Sequence, residues 1–244
     1  MEETQKFYET SPWSESLVKK ENESHFVLQS QARCRFIAPF VSEAVNVVNV
    51  LDFGSGAGAM GDIVPSAVRK TVVYDVVEIN PEAVKLLKGR SSVASVFQTI
   101  DAVSGRYDLA IASHVLEHMF EPEILLRSLR DRLSPGGILF VEVPNEDWRF
   151  KTTNEPHVVF FSQPMLVHLL NRAGFTVLRA ATCGRRVLDL IMARRISLNG
   201  RIARSVCLVY FALQKLMRIY EEDEGYARYG GDRRWIRVVC RRTD

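Results

Sequence analysis

Val47-Val48-Asn49-Val50-Leu51-Asp52-Phe53-Gly54-Ser55-Gly56-Ala57-Gly58-Ala59 is the stretch whose reading decides the fold of this 244-residue chain. The apolar run from Val47 to Phe53, closed by glycines, predicts a buried parallel strand. The glycines predict a tight turn into a helix, where backbone N–H groups approach a ligand closely because no Cβ stands in the way. In a doubly wound sheet such a turn lies where a nucleotide-like ligand sits. Gly54, Gly56 and Ala59 also satisfy the dinucleotide pattern G-x-G-x-x-G/A.

Two details around the turn favour another ligand. Asp52, two residues before Gly54, would repel a pyrophosphate but suits a cationic ligand. Gly58 adds a third close glycine. Leu51-Asp52-Phe53-Gly54-Ser55-Gly56-Ala57-Gly58 resembles motif I of the class I S-adenosylmethionine-dependent methyltransferases. The chain around it agrees. Thr71 to Glu78 predicts a second strand, with Glu78 at its end, the position from which a carboxylate accepts both ribose hydroxyls of an adenosine. The separation from Gly56 matches the roughly 20 residues expected of such a site. Pro81 then opens a helix, Val93 to Ile100 reads as an edge-like third strand, and Tyr107 to Ser113 as the fourth. A helix from Glu121 to Leu133, the turn Ser134-Pro135-Gly136-Gly137 and a fifth strand, Ile138 to Asn145, follow. The run Tyr107-Asp108-Leu109, Leu116-Glu117-His118, Leu133-Ser134-Pro135-Gly136-Gly137, Val143-Pro144-Asn145 is a second resemblance to the same class.

The resemblance implies cofactor contacts from Asp52, Gly54, Ser55, Gly56, Glu78, Ile79, Asp101 and Ser113. Asp101 stands in for an acid near the adenine amine, although it fits equally well as a cap on the short segment after it. His157, with Phe161-Ser162 and the later Ala173-Gly174-Phe175, adds a pattern typical of small-molecule methyltransferases. Ser162 is placed to cap a helix from Gln163 to Ala173, and Phe175 to Ala181 to form the sixth strand. The expected fold is α/β, a doubly wound, mostly parallel seven-stranded sheet whose last strand, Trp235 to Cys240, is antiparallel. Residues 1–44 would supply a polar tail and a cap helix from about residue 24, broken at Pro39. Residues 45–183 form the core, 184–231 a helical insertion, and 232–244 the last strand.

His114, Glu117 and His118 stand at i, i+3 and i+4, which on a helix shares one face. The H-x-x-E-H spacing is also a zinc-protease pattern, but it falls at a strand end inside a cofactor fold. Some class I O-methyltransferases, including those of ubiquinone biosynthesis and of small-RNA ends, carry Glu-x-x-Glu-His here and bind a divalent cation. This chain has His114 in place of the first Glu. Candidate bases are therefore His114 and His157, with no metal. The alternatives are a cation on His114, Glu117, His118 and His157, and a structural role for His118. The function expected is S-adenosylmethionine-dependent methyl transfer, more to oxygen than to nitrogen or carbon, on a small-molecule acceptor. A sugar, glycolipid or natural-product intermediate is the expected class. An NAD(P)-dependent oxidoreductase and a catalytically silent cofactor-binding module are the rivals.

Composition narrows the partners. A net charge of +3 is too small to imply nucleic acid. From about residue 177 basic residues outnumber acidic ones roughly two to one. The stretch 202–220 is apolar on most faces and flanked by arginines, which fits a core or homodimer helix or peripheral membrane contact. The four cysteines show no C-x-x-C pairing. The start, Met1-Glu2-Glu3-Thr4, is polar and acidic, unlike a signal peptide. A cytoplasmic protein is expected. Phe7, Tyr8 and Trp13 are candidates for a lid over the cofactor.

Overall fold

A computed structural model describes residues 24–151, 156–198 and 229–243. The lid aromatics and the apolar stretch 202–220 lie outside the described residues. Seven strands form one sheet in the order β3-β2-β1-β4-β5-β7-β6. They are β1 (Val47–Phe53), β2 (Thr71–Val77), β3 (Ser95–Phe97), β4 (Tyr107–Ser113), β5 (Leu133–Pro144), β6 (Phe175–Arg186) and β7 (Arg233–Arg242). β1 pairs in parallel with β2 and β4, whereas β7 runs antiparallel to both β5 and β6. This is the expected architecture, and its strand order reverses at β1. In open α/β sheets the crevice outside the carboxyl ends at that point is the ligand site.

Helices cover both faces. They are α1 (Ser24–Ile37), α2 (Ala59–Val68), α3 (Pro81–Leu87), α4 (Pro122–Arg132), α5 (Gln163–Arg172) and α6 (Val187–Leu198). Leu125, Leu126 and Leu129 of α4 and Leu166 and Leu170 of α5 cover one face with Leu51, Ala110, Leu139 and Val141. Phe36 and Ile37 of α1 and Met60 and Val64 of α2 cover the other with Val48, Val50, Leu109 and Phe140. Strand residues alternate between these two clusters, the period-2 pattern of a sheet buried on both sides.

Several element ends differ from the sequence expectation. α1 stops at Ile37, and Pro39 lies in a 3-10 turn, Ala38–Phe40. Pro65 lies inside α2, where it removes one helical hydrogen bond. β3 shrinks to three residues at the sheet edge, with a neighbour on one side only. The Ser-Pro-Gly-Gly stretch is absorbed into β5 through a register shift against β4. β6 runs on to Arg186, because β7 continues to pair with it, so the core extends past residue 183. Asn80 caps α3 with its side chain, accepting from the Glu82 and Ala83 amides at 3.0 Å. Ser162 sits at the N-cap of α5 without a side-chain cap bond. Among the described residues no helix is long and apolar enough to cross a membrane.

Candidate active site

The glycine turn behaves as its sequence requires. Gly54, Gly56 and Gly58 all have positive φ, at 70°, 58° and 78°. A Cβ on Gly54 would stand 2.6 Å from Val115 Cγ2, so this glycine also lets the turn approach the loop after β4. The Gly54 amide donates to the Val77 carbonyl (2.8 Å), tying the turn to the end of β2. Glu78 completes the link. One carboxylate oxygen accepts from the Gly56 amide at 2.8 Å, and the other from the Ile79 and Asn80 amides at 2.8 Å. Burial raises the Glu78 pKa, and those three amides partly offset it by favouring the charged form. Glu78 thus stands at the crevice, held by backbone.

The other expected cofactor residues fare differently. Asp52 is buried at the end of β1 and accepts a hydrogen bond from the Tyr74 hydroxyl. Ser55 Oγ is buried and has no hydrogen-bond partner among the described residues. A buried hydroxyl of this kind has hydrogen-bonding capacity to give to a ligand. The Ile79 amide serves Glu78. Ser113 Oγ lies 3.5 Å from Glu142 Oε1. Asp101 is 93% exposed in a 3-10 turn, Ile100–Ala102, and leans toward Arg132 at the end of α4, 3.8 Å away. The structure joins it to none of the crevice residues.

The histidines separate. His114 is not on the helical face with Glu117 and His118, because the helix after β4 is a single 3-10 turn, Leu116–His118. His114 precedes it with φ +58°, a conformation that costs a non-glycine residue roughly 1–2 kcal/mol. Its amide donates to the Glu142 carbonyl at 2.8 Å. Both ring nitrogens face carboxylates, Nδ1 at 3.2 Å from Glu117 Oε1 and Nε2 at 3.0 Å from Glu142 Oε1. Burial opposes its charge, but the hydrogen bonds and charges of Glu117 and Glu142 prevail and raise its pKa. A ring so engaged offers no nitrogen lone pair to an acceptor.

Glu142 is the centre of that arrangement, and the sequence reading passed over it. The alternation of β5 turns it toward α1, and in register it stands between Ser113 of β4 and Arg237 of β7. Arg33 of α1 reaches Glu142 Oε1 at 2.6 Å, and Arg237 Nε donates to Oε2. Both Glu142 and Arg237 are fully buried. Burial alone would raise the Glu142 pKa, but Arg237, Arg33 and His114 hold it well below the ordinary range. A charge inside an otherwise apolar strand was the one sequence signal for this cluster.

His157 joins His118 and Glu117 instead. The Val158 and Val159 amides donate to the Glu117 carbonyl at 2.8 and 3.1 Å, pinning the His157 segment against the 3-10 turn. The His118 and His157 rings meet edge-to-face at 4.8 Å. Single ligand atoms of Glu117, His118 and His157 all lie within 4.8 Å of one another. Glu117 is 1% exposed, and its Oε2 has no hydrogen-bond partner among the described residues. His118 Nδ1 contacts the Pro156 carbonyl at 3.3 Å. Burial lowers the His118 pKa, and Glu117 only partly opposes it. His157 Nδ1 lies 2.8 Å from Asp147 Oδ2. Of the set His114, Glu117, His118, His157, the last three bring ligand atoms together, and His114 touches them through Glu117 with both its ring nitrogens engaged.

A family model described as a methyltransferase domain matches residues 11–180. The chain belongs to the methyltransferase-domain family. Two curated relatives, both named ubiquinone biosynthesis O-methyltransferase, come from Bradyrhizobium diazoefficiens and Xanthomonas oryzae. The first is 26% identical over 106 residues, 42% of either chain. The second is 30% identical over 105 residues, 39% of this chain and 43% of the relative. This methyltransferase-domain protein thus matches less than half the length of each. Among solved structures, the plantazolicin methyltransferase BpumL in complex with SAH has a TM-score of 0.62 at 12% identity, covering 99% of this chain and 94% of that one. The Haemonchus contortus phosphoethanolamine N-methyltransferase 2, in complex with S-adenosyl-L-methionine, gives 0.60 at 13%, covering 99% and 60%. Both share the fold.

Proposed function

We propose that this methyltransferase-domain protein transfers the methyl group of S-adenosylmethionine to a hydroxyl oxygen of a small acceptor. The observation that carries the acceptor half is the Glu117, His118 and His157 cluster with its unpartnered buried carboxylate oxygen, at the carboxyl end of β4. The cofactor half is supported by the glycine turn, the orphaned Ser55 hydroxyl and the backbone-held Glu78 carboxylate. Glu78 keeps lone pairs for the ribose hydroxyls beyond the three amides it accepts. The relatives' printed name, an O-methyltransferase, supports oxygen as the nucleophile.

In the transfer, an acceptor oxygen attacks the methyl carbon in line with the departing sulfur. The O–C bond forms as the S–C bond breaks, and the thioether product leaves uncharged. The protein supplies alignment and a destination for the hydroxyl proton. His157 meets that need better than His114, because its Nε2 has no hydrogen-bond partner among the described residues while both nitrogens of His114 are engaged. Glu117, His118 and His157 also fit a divalent cation. They offer a buried carboxylate oxygen and two imidazoles, each with Nδ1 beside an acceptor, the usual setting for an Nε2 ligand. Bound there, a cation supplies Lewis acidity that eases ionisation of an acceptor hydroxyl.

The test is isothermal calorimetry with S-adenosylmethionine and NAD, followed by S-adenosylhomocysteine release with a panel of hydroxylated acceptors. Binding of the sulfonium cofactor, weakened about 10- to 100-fold in Glu78→Ala, is expected. Binding of NAD alone, or no product with any acceptor, contradicts the reading. Activity abolished by EDTA and restored by a divalent metal supports the cation. Activity indifferent to EDTA but lost in His157→Ala leaves His157 as the base.

A further inference from the structure

The His157 ring is directed by a residue that neither the motifs nor the spacing singled out. β5 ends at Pro144, and the Asn145 and Glu146 amides are fastened to the Arg234 and Phe161 carbonyls at 2.8 and 2.9 Å. Glu146 then takes φ +43°, which turns the chain sharply into the 3-10 segment Asp147–Arg149. The Arg149 guanidinium closes that segment onto Asp232 at 2.8 Å. The turn directs the Asp147 side chain inward, where it is 2% exposed. Oδ2 then lies 2.8 Å from His157 Nδ1 and also meets the Lys151 ammonium.

We propose that Asp147 is the positioning residue of this site: its carboxylate accepts the Nδ1 proton of His157, so that the Nε2 lone pair is the one turned toward Glu117 and His118. A neutral imidazole has one donor and one acceptor nitrogen, and the partner of one fixes the role of the other. Among the described residues Asp147 is the acceptor beside Nδ1, since Lys151 Nζ, 3.5 Å from it, is a donor. His118 carries the same logic in weaker form, with the Pro156 carbonyl beside its Nδ1. Carboxylate partners of metal-bound histidines commonly contribute about 10- to 100-fold to affinity. The assignment rests on the cation reading above and adds to it a residue outside the three ligands.

The experiment titrates metal-free full-length protein with Zn²⁺ alone by calorimetry, and with Co²⁺ by its visible absorption. Wild type, Asp147→Asn and His157→Ala are compared, with melting temperature and S-adenosylmethionine affinity recorded for each. Asp147→Asn is expected to weaken Zn²⁺ binding about 10- to 100-fold and perturb the Co²⁺ spectrum, with cofactor affinity unchanged. Equal Zn²⁺ affinity in wild type and Asp147→Asn, with binding lost in His157→Ala, overturns the role of Asp147 alone. No Zn²⁺ binding by wild type overturns it together with the cation. Should Asp147→Asn not fold, long-range ¹H–¹⁵N spectra of metal-free wild type decide. His157 protonated at Nδ1 supports the assignment, and protonation at Nε2 overturns it.

Discussion

Two glutamates meet the His114 ring, and they are treated in opposite ways. Glu142, on the α1 face of the sheet, receives Arg33, Arg237 and the His114 ring, and is enclosed by them. Glu117, equally buried, gives one oxygen to His114, and its other oxygen has no partner among the described residues beside two further histidines. In the first cluster both Glu142 oxygens are taken, and it joins α1, β4, β5 and β7. The second keeps a carboxylate oxygen free among the described residues, as the proposed cation site requires. The contrast teaches that burial of a charged residue does not by itself mark chemistry. Here the two carboxylates differ in that both Glu142 oxygens are taken, whereas Glu117 Oε2 has no partner among the described residues and lies beside two histidines.

The largest effect that could break this comparison is on catalysis. His157→Ala is expected to lower methyl transfer by roughly 10²–10⁴-fold with cofactor affinity intact, read from S-adenosylhomocysteine release. Near-normal turnover would mean that the open cluster is not the acceptor site. Next comes Glu142→Ala, which leaves two arginines buried without their carboxylate. It should cost about 3–5 kcal/mol in urea unfolding. A loss below about 1 kcal/mol, the size typical of surface pairs, would show that water reaches the cluster.

His114→Asn sharpens the comparison, because asparagine tolerates the left-handed backbone while removing the ring. It should cost about 1–3 kcal/mol of stability and reduce turnover far less than His157→Ala. Equal kinetic damage from both would place His114 in the chemistry. The smallest effect expected is on acid stability. The folded Glu142 pKa lies below its unfolded value near 4.5, so its contribution is complete above that value and fades as pH falls through the depressed one. Melting temperatures followed from pH 6 downward should therefore decline less steeply in Glu142→Gln than in wild type. Parallel curves would remove Glu142 from the acid response.

Much of the crevice was legible in the sequence because its parts are local. Strand, glycine turn and strand-end Glu78 each depend on neighbours within a few residues, and all three lie where expected. The histidine cluster was legible only in part. Its spacing suggested one helical face, yet the turn after β4 is too short to make one, and His114 falls to Glu142. Asp101 matched a family position in sequence but is drawn toward Arg132. Asp147 gave no signal, since an acid in a polar stretch after a strand is ordinary until its partner is known.

By itself the sequence determined the alternation of strands and helices, the parallel core with its antiparallel last strand, and the glycine-lined turn. Those follow from hydrophobic period and backbone freedom, which are properties of short segments. Only the tertiary structure decided which charges are used up and which stay open. That depends on residues far apart in the chain, Arg33 and Arg237 on Glu142, Asp147 on His157, which meet because the folded sheet brings their strands and loops together. Hydrogen bonds act over about 3 Å, so the roles of the histidines are set by those meetings and not by the spacing between them.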